Sequence, residues 1–163
     1  MFVDKQAVLN LLDEAKIAYQ AVEHQAVYTI EEMKQLNLPH ADDIAKNLFI
    51  RDDKKQHFYL ISVQEDKPID LKSLRQKIGS RRLSFASETD LQEIIGLPKG
   101  AVTPFGLLND EQRRVEAFID QRFSNHLIGI HPNDNTMTLW LKTTDLMTLL
   151  KNHGSQVEML DLG

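Results

Sequence analysis

Three stretches of this chain carry residues whose types and spacing suggest chemistry rather than scaffold. The first is Ile44-Ala45-Lys46-Asn47-Leu48-Phe49-Ile50-Arg51-Asp52, an otherwise apolar strand-like segment with a lysine and an asparagine inside it. Ile44, Leu48 and Ile50 share one face with Lys46, while Ala45 and Phe49 share the other with Asn47. That pattern suits a strand covered on both sides, where an unpaired ammonium is costly to desolvate. The plainer alternative is a lysine near the strand end whose charge snorkels to water. The second stretch is Gly100 to Leu108, with two glycines, a proline and no charge, which suits a pocket wall better than a solvated turn. The third is Gly129-Ile130-His131-Pro132, where glycine permits close backbone approach beside a titratable ring. Taken singly, His131 also fits a hydrogen-bonded structural histidine.

Composition removes several other chemistries. The chain has no cysteine, so disulfides, thiol nucleophiles and thiolate zinc sites are all excluded. Its six histidines (His24, His40, His57, His126, His131, His153) never show the His-x-x-x-His spacing that sets two imidazoles on one metal, so no metal site is expected. The glycines match neither a dinucleotide fingerprint nor a phosphate loop, and no cofactor is expected. With no membrane-length apolar run and no basic-then-apolar leader at Met1, the expected location is the cytoplasm.

Charge is unevenly spread. Between Lys46 and Arg82 lie ten basic and five acidic residues, a +5 zone in a chain of net charge −5, which leaves −10 for the remainder. Such a zone can engage a few phosphates while the acidic body discourages indiscriminate polyanion binding; a solvated, lysine-rich helix face is the alternative.

The elements that must position these residues follow from caps and periodicity. Asp4 caps a helix bearing Val8, Leu11, Leu12 and Ala15, and Tyr19 to Val22 is a short strand. Thr29-Ile30-Glu31-Glu32 opens a helix that ends before Pro39. Ile44 to Arg51 and His57 to Val63 form a hairpin around Asp52 to Gln56. Asp70 caps a helix stopped by Gly79, Leu83 to Ala86 is extended, and Ser87 or Thr89 starts a helix closed by Gly96 and Pro98. Val115 to Ile119 fits either period and is assigned as a strand. Leu127 to His131 and Thr136 to Leu141 are strands joined by Pro132 to Asn135; Thr144 caps a last helix, and Val157 to Leu160 closes the chain as a strand. Interleaved strands and helices with hairpins predict one α/β domain over residues 1–163, with a mixed, mostly antiparallel, partly barrel-like sheet flanked by helices.

The Lys46-Asn47 strand, the Thr103-Pro104-Phe105-Gly106 loop with Leu107-Leu108-Asn109-Asp110, and Gly129 to Thr136 together resemble the YbaK/prolyl-tRNA-synthetase-associated editing domains, over nearly the whole chain. Within them the chain is most similar to the free-standing alanyl-tRNA(Pro) deacylases. The related cysteinyl-tRNA(Pro) branch has a more glycine-rich Ser-Pro-Ile-Gly-type loop where this chain has Val102 to Gly106. The resemblance implies a trans-acting hydrolase that cleaves alanine from mischarged proline tRNA by direct attack of water. Other implied outcomes of the same fold are a seryl- or cysteinyl-tRNA deacylase, or a tRNA-binding module without catalysis. It implies that Lys46 holds a terminal phosphate or stabilises developing negative charge, and that Asn47 orients the terminal nucleotide or substrate. Gly129 backbone groups would grip the aminoacyl portion and His131 would position ribose or water, while Thr103, Pro104, Phe105 and Gly106 form a steric filter. Arg51 and Arg82 would meet the acceptor stem. The implied partners are mischarged tRNA(Pro) and, transiently, prolyl-tRNA synthetase or an elongation factor, with no membrane.

Overall fold

The computed structural model describes residues 3–98 and 100–162. Two β-sheets carry the fold, rather than the one sheet expected. The strands are β1 (Tyr19–Glu23), β2 (Ala45–Asp52), β3 (Phe58–Gln64), β4 (Leu83–Phe85), β5 (Val115–Asp120), β6 (Leu127–Ile130), β7 (Met137–Lys142) and β8 (Gln156–Leu160). One sheet is three-stranded and antiparallel in the order β1-β7-β6; the other is five-stranded in the order β4-β2-β3-β5-β8. In the larger sheet β2 pairs antiparallel with β3 and β4, whereas β5 runs parallel to both β3 and β8, so the sheet is mixed. Among the described residues, one isolated parallel bridge, Ile44 to Gly129, joins the two sheets.

Local chemistry accounts for the helices. Asp4 accepts the Ala7 amide at 2.9 Å and starts α1 (Lys5–Glu14), and Thr29 accepts the Glu32 amide at 3.1 Å and starts α2 (Ile30–Gln35). Asp70 caps α3 (Leu71–Ile78), which Gly79 ends in the left-handed conformation at φ 67°. Ser87 and Asp90 form a reciprocal capping box on α4 (Glu88–Asp90). The chain then widens into a π-helical turn over Leu91–Ile95 that buries Leu91, Ile94 and Ile95 before Gly96 stops it. The last helix, α5 (Thr143–Asn152), departs from expectation at its start: Lys142 is the cap residue and makes no side-chain cap bond, so Thr144 does not cap it. Thr143 lies inside the helix, where its amide and hydroxyl both donate to the His126 carbonyl, at 3.1 and 3.0 Å. That long-range acceptor fixes the helix start one residue before the threonine expected to cap it.

Packing forms layers. One face of the larger sheet, through Phe49, Phe58, Leu60 and Ile119, meets Ile128, Ile130, Leu139 and Leu141 of the smaller sheet together with Val8 and Leu12 of α1 and Leu146 and Leu150 of α5. Its other face, through Ile50, Tyr59, Ile61 and Val63, packs on Leu74 of α3. The outer face of the smaller sheet, through Trp140, meets Met33 of α2 with Val27 and Ile44.

The β2 strand is not covered along its length. β4 pairs only with Ile50, Arg51 and Asp52, so Ala45 to Leu48 have no strand beside them on that side and are half-buried. This open half of a strand edge is where Lys46 and Asn47 sit.

Candidate active site

Where the two sheets meet at the Ile44–Gly129 bridge, a cavity of about 180 Å³ opens to the surface. The larger sheet supplies Ala45, Lys46, Asn47 and, just past β3, Glu65. The smaller sheet and the turn after it supply Gly129, Ile130, His131 and Thr138. Val27, Tyr28, Thr29, Met33, Gly100 and Val102 complete the lining, with Gly100 directly against Tyr28. Four residues singled out in the sequence, Lys46, Asn47, Gly129 and His131, therefore share one cavity although 82 or more positions separate the first pair from Gly129 and 84 or more from His131.

The ammonium of Lys46 donates to the Lys67 carbonyl at 2.5 Å. Partial burial pushes its pKa below the ordinary lysine range, against an upward pull from the charge of Asp66. The Lys67 segment is itself anchored, because the Lys67 side chain reaches Asp120 at the end of β5 at 2.8 Å and that carboxylate is only 3% exposed. The side-chain oxygen of Asn47 accepts from the Ser62 hydroxyl at 2.5 Å, its direct cross-strand partner in β3, which leaves the Asn47 amide nitrogen to donate elsewhere. Burial raises the Glu65 carboxyl above its usual range, helped by Asp66 and opposed by Lys34.

Carbonyl partners fix which nitrogen bears hydrogen in the neutral form of two imidazoles. His131 Nδ1 lies 2.8 Å from the Met137 carbonyl, an acceptor only, so Nδ1 carries hydrogen and Nε2 of the neutral ring keeps its lone pair. Burial is the largest influence on this ring and lowers its pKa, and His24 lowers it further, while the Met137 carbonyl and Asp134 pull upward. His24 Nδ1 similarly faces the Gln25 carbonyl at 2.8 Å, and its Nε2 lies 2.9 Å from the Thr138 hydroxyl, from which it accepts in the neutral ring. The two rings stand 6.1 Å apart, with Thr138 between them at 3.5 Å from His131 Nδ1.

Gly129 is required by contact, not by backbone conformation. A Cβ there would lie 2.5 Å from Trp140 Nε1 and 3.2 Å from Ile44 Cγ1, so only glycine lets β6 approach the buried indole this closely.

The loop expected to form the filter is placed differently. Thr103, Pro104, Phe105 and Gly106 are buried and none lines the cavity; Gly100 and Val102 do so instead. Pro104–Asn109 form a 3₁₀ turn inside the core, packed there by Phe105, Leu107 and Leu108. Thr103 stands one layer behind the site, where its hydroxyl donates to the His131 carbonyl at 2.6 Å, and Asn133 ties the Phe105 carbonyl to the turn after His131. The loop thus braces His131. Arg51 and Arg82 also lie outside the cavity. Arg51 is half-buried, donating to the Asp52 carbonyl at 3.0 Å and 3.9 Å from Asp90, and Arg82 is exposed just before β4. Five residue steps along the strand separate Arg51 from Lys46, roughly 16 Å at strand rise.

His24, Thr138, Tyr28 and Glu65 were not singled out from sequence. His24 was one of six scattered histidines, and its link to Thr138 spans 114 positions, so no local spacing marks it. Among the described residues, no group of three or more His, Asp or Glu is placed to hold a metal ion, and no helix is long and apolar enough to cross a membrane.

With this geometry in place, residues 24–149 match the model of the aminoacyl-tRNA editing domain. The chain belongs to that family. It is 47% identical over 159 residues to the prolyl-tRNA editing protein ProX of Acetoanaerobium sticklandii, covering 97% of both chains. It is 33% identical over 149 residues to the prolyl-tRNA synthetase associated domain-containing protein 1 of Danio rerio, covering 87% of this chain and 78% of that one. A solved structure described as a candidate trans-editing enzyme for prolyl-tRNA synthetase superposes with a TM-score of 0.71 at 21% identity, over 98% of this chain and 97% of the other, which establishes the shared fold.

Proposed function

We propose that this protein is an aminoacyl-tRNA deacylase that hydrolyses the ester of mischarged alanyl-tRNA(Pro), releasing alanine and free tRNA(Pro). The observation that carries this reading is the convergence of Lys46 from one sheet and His131 from the other on a single small cavity with apolar walls. At about 180 Å³ the cavity is smaller than the roughly 300–1,000 Å³ of a typical small-molecule pocket. A space of that size suits a short acyl group.

A synthetase site shaped for proline rejects the smaller alanine weakly, at about 1–3 kcal/mol per missing methylene, so a second and smaller site is the physical remedy. Here Val27, Met33, Ile44, Val102 and Ile130 form the apolar walls. The ester is already activated, and the protein's task is to place carbonyl, water and charge. Water adds to the carbonyl carbon, the carbonyl oxygen becomes negative, and the intermediate collapses by breaking the bond to the ribose oxygen, which takes up the proton lost by the water. Lys46 supplies the positive charge facing that oxygen or the adjoining phosphate. The lone pair on His131 Nε2 orients the water or a ribose hydroxyl, and the Asn47 amide donates to the terminal nucleotide. Backbone groups at Gly129 hold the acyl portion, while the Glu65 carboxylate complements the α-ammonium. The exposed basic residues beyond the cavity, Arg82 foremost, contact acceptor-stem phosphates, with Arg51 beside them.

The test is side-by-side incubation with alanyl-, seryl- and prolyl-tRNA(Pro), using Lys46→Ala as control. Rapid loss of alanine, with prolyl-tRNA(Pro) spared and the variant slowed by about 10²–10³-fold, is the expected result. A preference for the prolyl ester would refute the alanine assignment, and equal rates for parent and variant would remove Lys46 from the chemistry.

A further inference from the structure

Tyr28 is one of two large hydrophobic residues exposed among the described residues, at 65%, and it stands at the mouth of the cavity. Leaving an aromatic ring in water forfeits burial that comparable side chains in this fold obtain. Its placement is nevertheless well defined. Val27 on one side is buried and its carbonyl accepts from Asn135 at 2.8 Å, while Thr29 on the other caps α2. The ring lies against Gly100: a Cβ at that position would be 2.9 Å from Tyr28 Cδ1 and 3.6 Å from Cγ, and the φ of +91° there also disfavours any side chain. Glycine at position 100 thus makes room for the ring, which is supported from below and open to solvent.

We propose that Tyr28 is a stacking platform for the terminal adenine of the bound tRNA. The inference rests on the reading of the cavity as an aminoacyl-ester site. A cavity of about 180 Å³ is below the roughly 300–1,000 Å³ of a typical small-molecule pocket, so an acyl group that fills it leaves the attached base at the open mouth beside Tyr28. The 3′ end of tRNA is single-stranded, and unpaired bases are held by stacking on aromatic rings without any need for edge recognition. Among the described residues lining this cavity, Tyr28 is the one Phe, Tyr or Trp.

Because the base is remote from the reacting ester, its loss weakens ground state and transition state alike. Tyr28→Ala is therefore expected to raise KM by about 5- to 140-fold, the range of a base–aromatic stack, with kcat unchanged. Tyr28→Phe and Tyr28→Trp should stay within about threefold of the parent. An alanyl ester on a tRNA whose terminal nucleotide lacks its base should show the same KM increase with the parent and no further increase with Tyr28→Ala. Independently of catalysis, an uncharged proline acceptor minihelix with 2-aminopurine as its terminal base should be quenched by the parent, Tyr28→Phe and Tyr28→Trp, and not by Tyr28→Ala. Parental KM in Tyr28→Ala, additive losses with the abasic substrate, or unquenched 2-aminopurine would each overturn the platform. A parent that quenches through Tyr28 yet hydrolyses no ester would keep the platform and remove the hydrolase reading. A parent that hydrolyses the ester and ignores the base would do the reverse.

Discussion

Replacing Gly129 with alanine drives a methyl carbon to 2.5 Å from Trp140 Nε1, 2.9 Å from Trp140 Cδ1 and 3.2 Å from Ile44 Cγ1. The indole cannot swing aside, since it is 1% exposed, packs edge-on against His40 with centroids 6.2 Å apart, and donates to the His40 carbonyl at 3.3 Å. Either Trp140 retreats by nearly an ångström to reach ordinary contact, or β6 moves away from Ile44 and loosens the bridge between the sheets. Overpacking of this kind costs about 1–3 kcal/mol. In a chain of this length each kcal/mol lowers Tm by about 2–4 °C, so Gly129→Ala should melt about 2–12 °C below the parent. Deacylation should fall with it, because the Ile44–Gly129 contact fixes the spacing between Lys46 and His131. Thermal unfolding followed by circular dichroism, with initial rates on alanyl-tRNA(Pro), reads both effects. Trp140→Phe, which removes the ring segment that clashes, should restore part of the loss when combined with Gly129→Ala, giving non-additivity of about 1 kcal/mol or more. A single Gly129→Ala variant with parental Tm and rate, or strictly additive behaviour in the pair, would refute this account.

Val102→Ala widens the cavity wall, so the ratio of kcat/KM for alanyl over prolyl esters should fall about tenfold or more; an unchanged ratio would remove Val102 from the filter. Burial holds the His131 pKa below 6.5, so the folded protein resists a proton that the unfolded chain accepts. Stability from this ring is therefore complete above pH 6.5 and declines as the pH falls from there towards the lowered folded value. An NMR titration of the His131 ring should show a midpoint below 6.5, and one at or above it would contradict the buried neutral tautomer. Lys67→Met leaves the Asp120 carboxylate buried without its ammonium partner and frees the segment whose carbonyl holds Lys46. A loss of about 2–3 kcal/mol, less than for a fully enclosed pair because Lys67 keeps 20% exposure, should accompany slower turnover; denaturant unfolding and deacylation rates check the two effects separately.

Much of the secondary structure was legible because its determinants are local. Asp4, Asp70 and Ser87 bond amides within four residues, and Gly79 and Gly96 stop helices by conformation alone. The alternating pattern around Lys46 and the turn at Asp52 to Gln56 likewise gave the β2–β3 hairpin. Two sheets in place of one were not legible, because nothing near Ile44 signals its bridge to Gly129. The site was half legible. Lys46, Asn47 and His131 stood out as polar residues in apolar strands, whereas the uncharged Thr103 to Gly106 loop reads equally well as a pocket wall or as core. Only the hydroxyl bond from Thr103 to the His131 carbonyl, 28 positions away, decides for the second. A capping rule favours Thr144, but neither threonine caps α5: the His126 carbonyl, distant in sequence, takes both Thr143 donors and leaves Lys142 as the cap residue.

The bridge at Ile44–Gly129 has a consequence for quality control inside the cell. Since each sheet supplies only part of the cavity lining, a molecule whose sheets have come apart keeps no cavity, and on the proposed reading no fragment able to attack esters by itself. Damage or heat would then silence such a molecule instead of turning it into an indiscriminate scavenger of correctly charged tRNA, which is the safer way for a proofreader to fail.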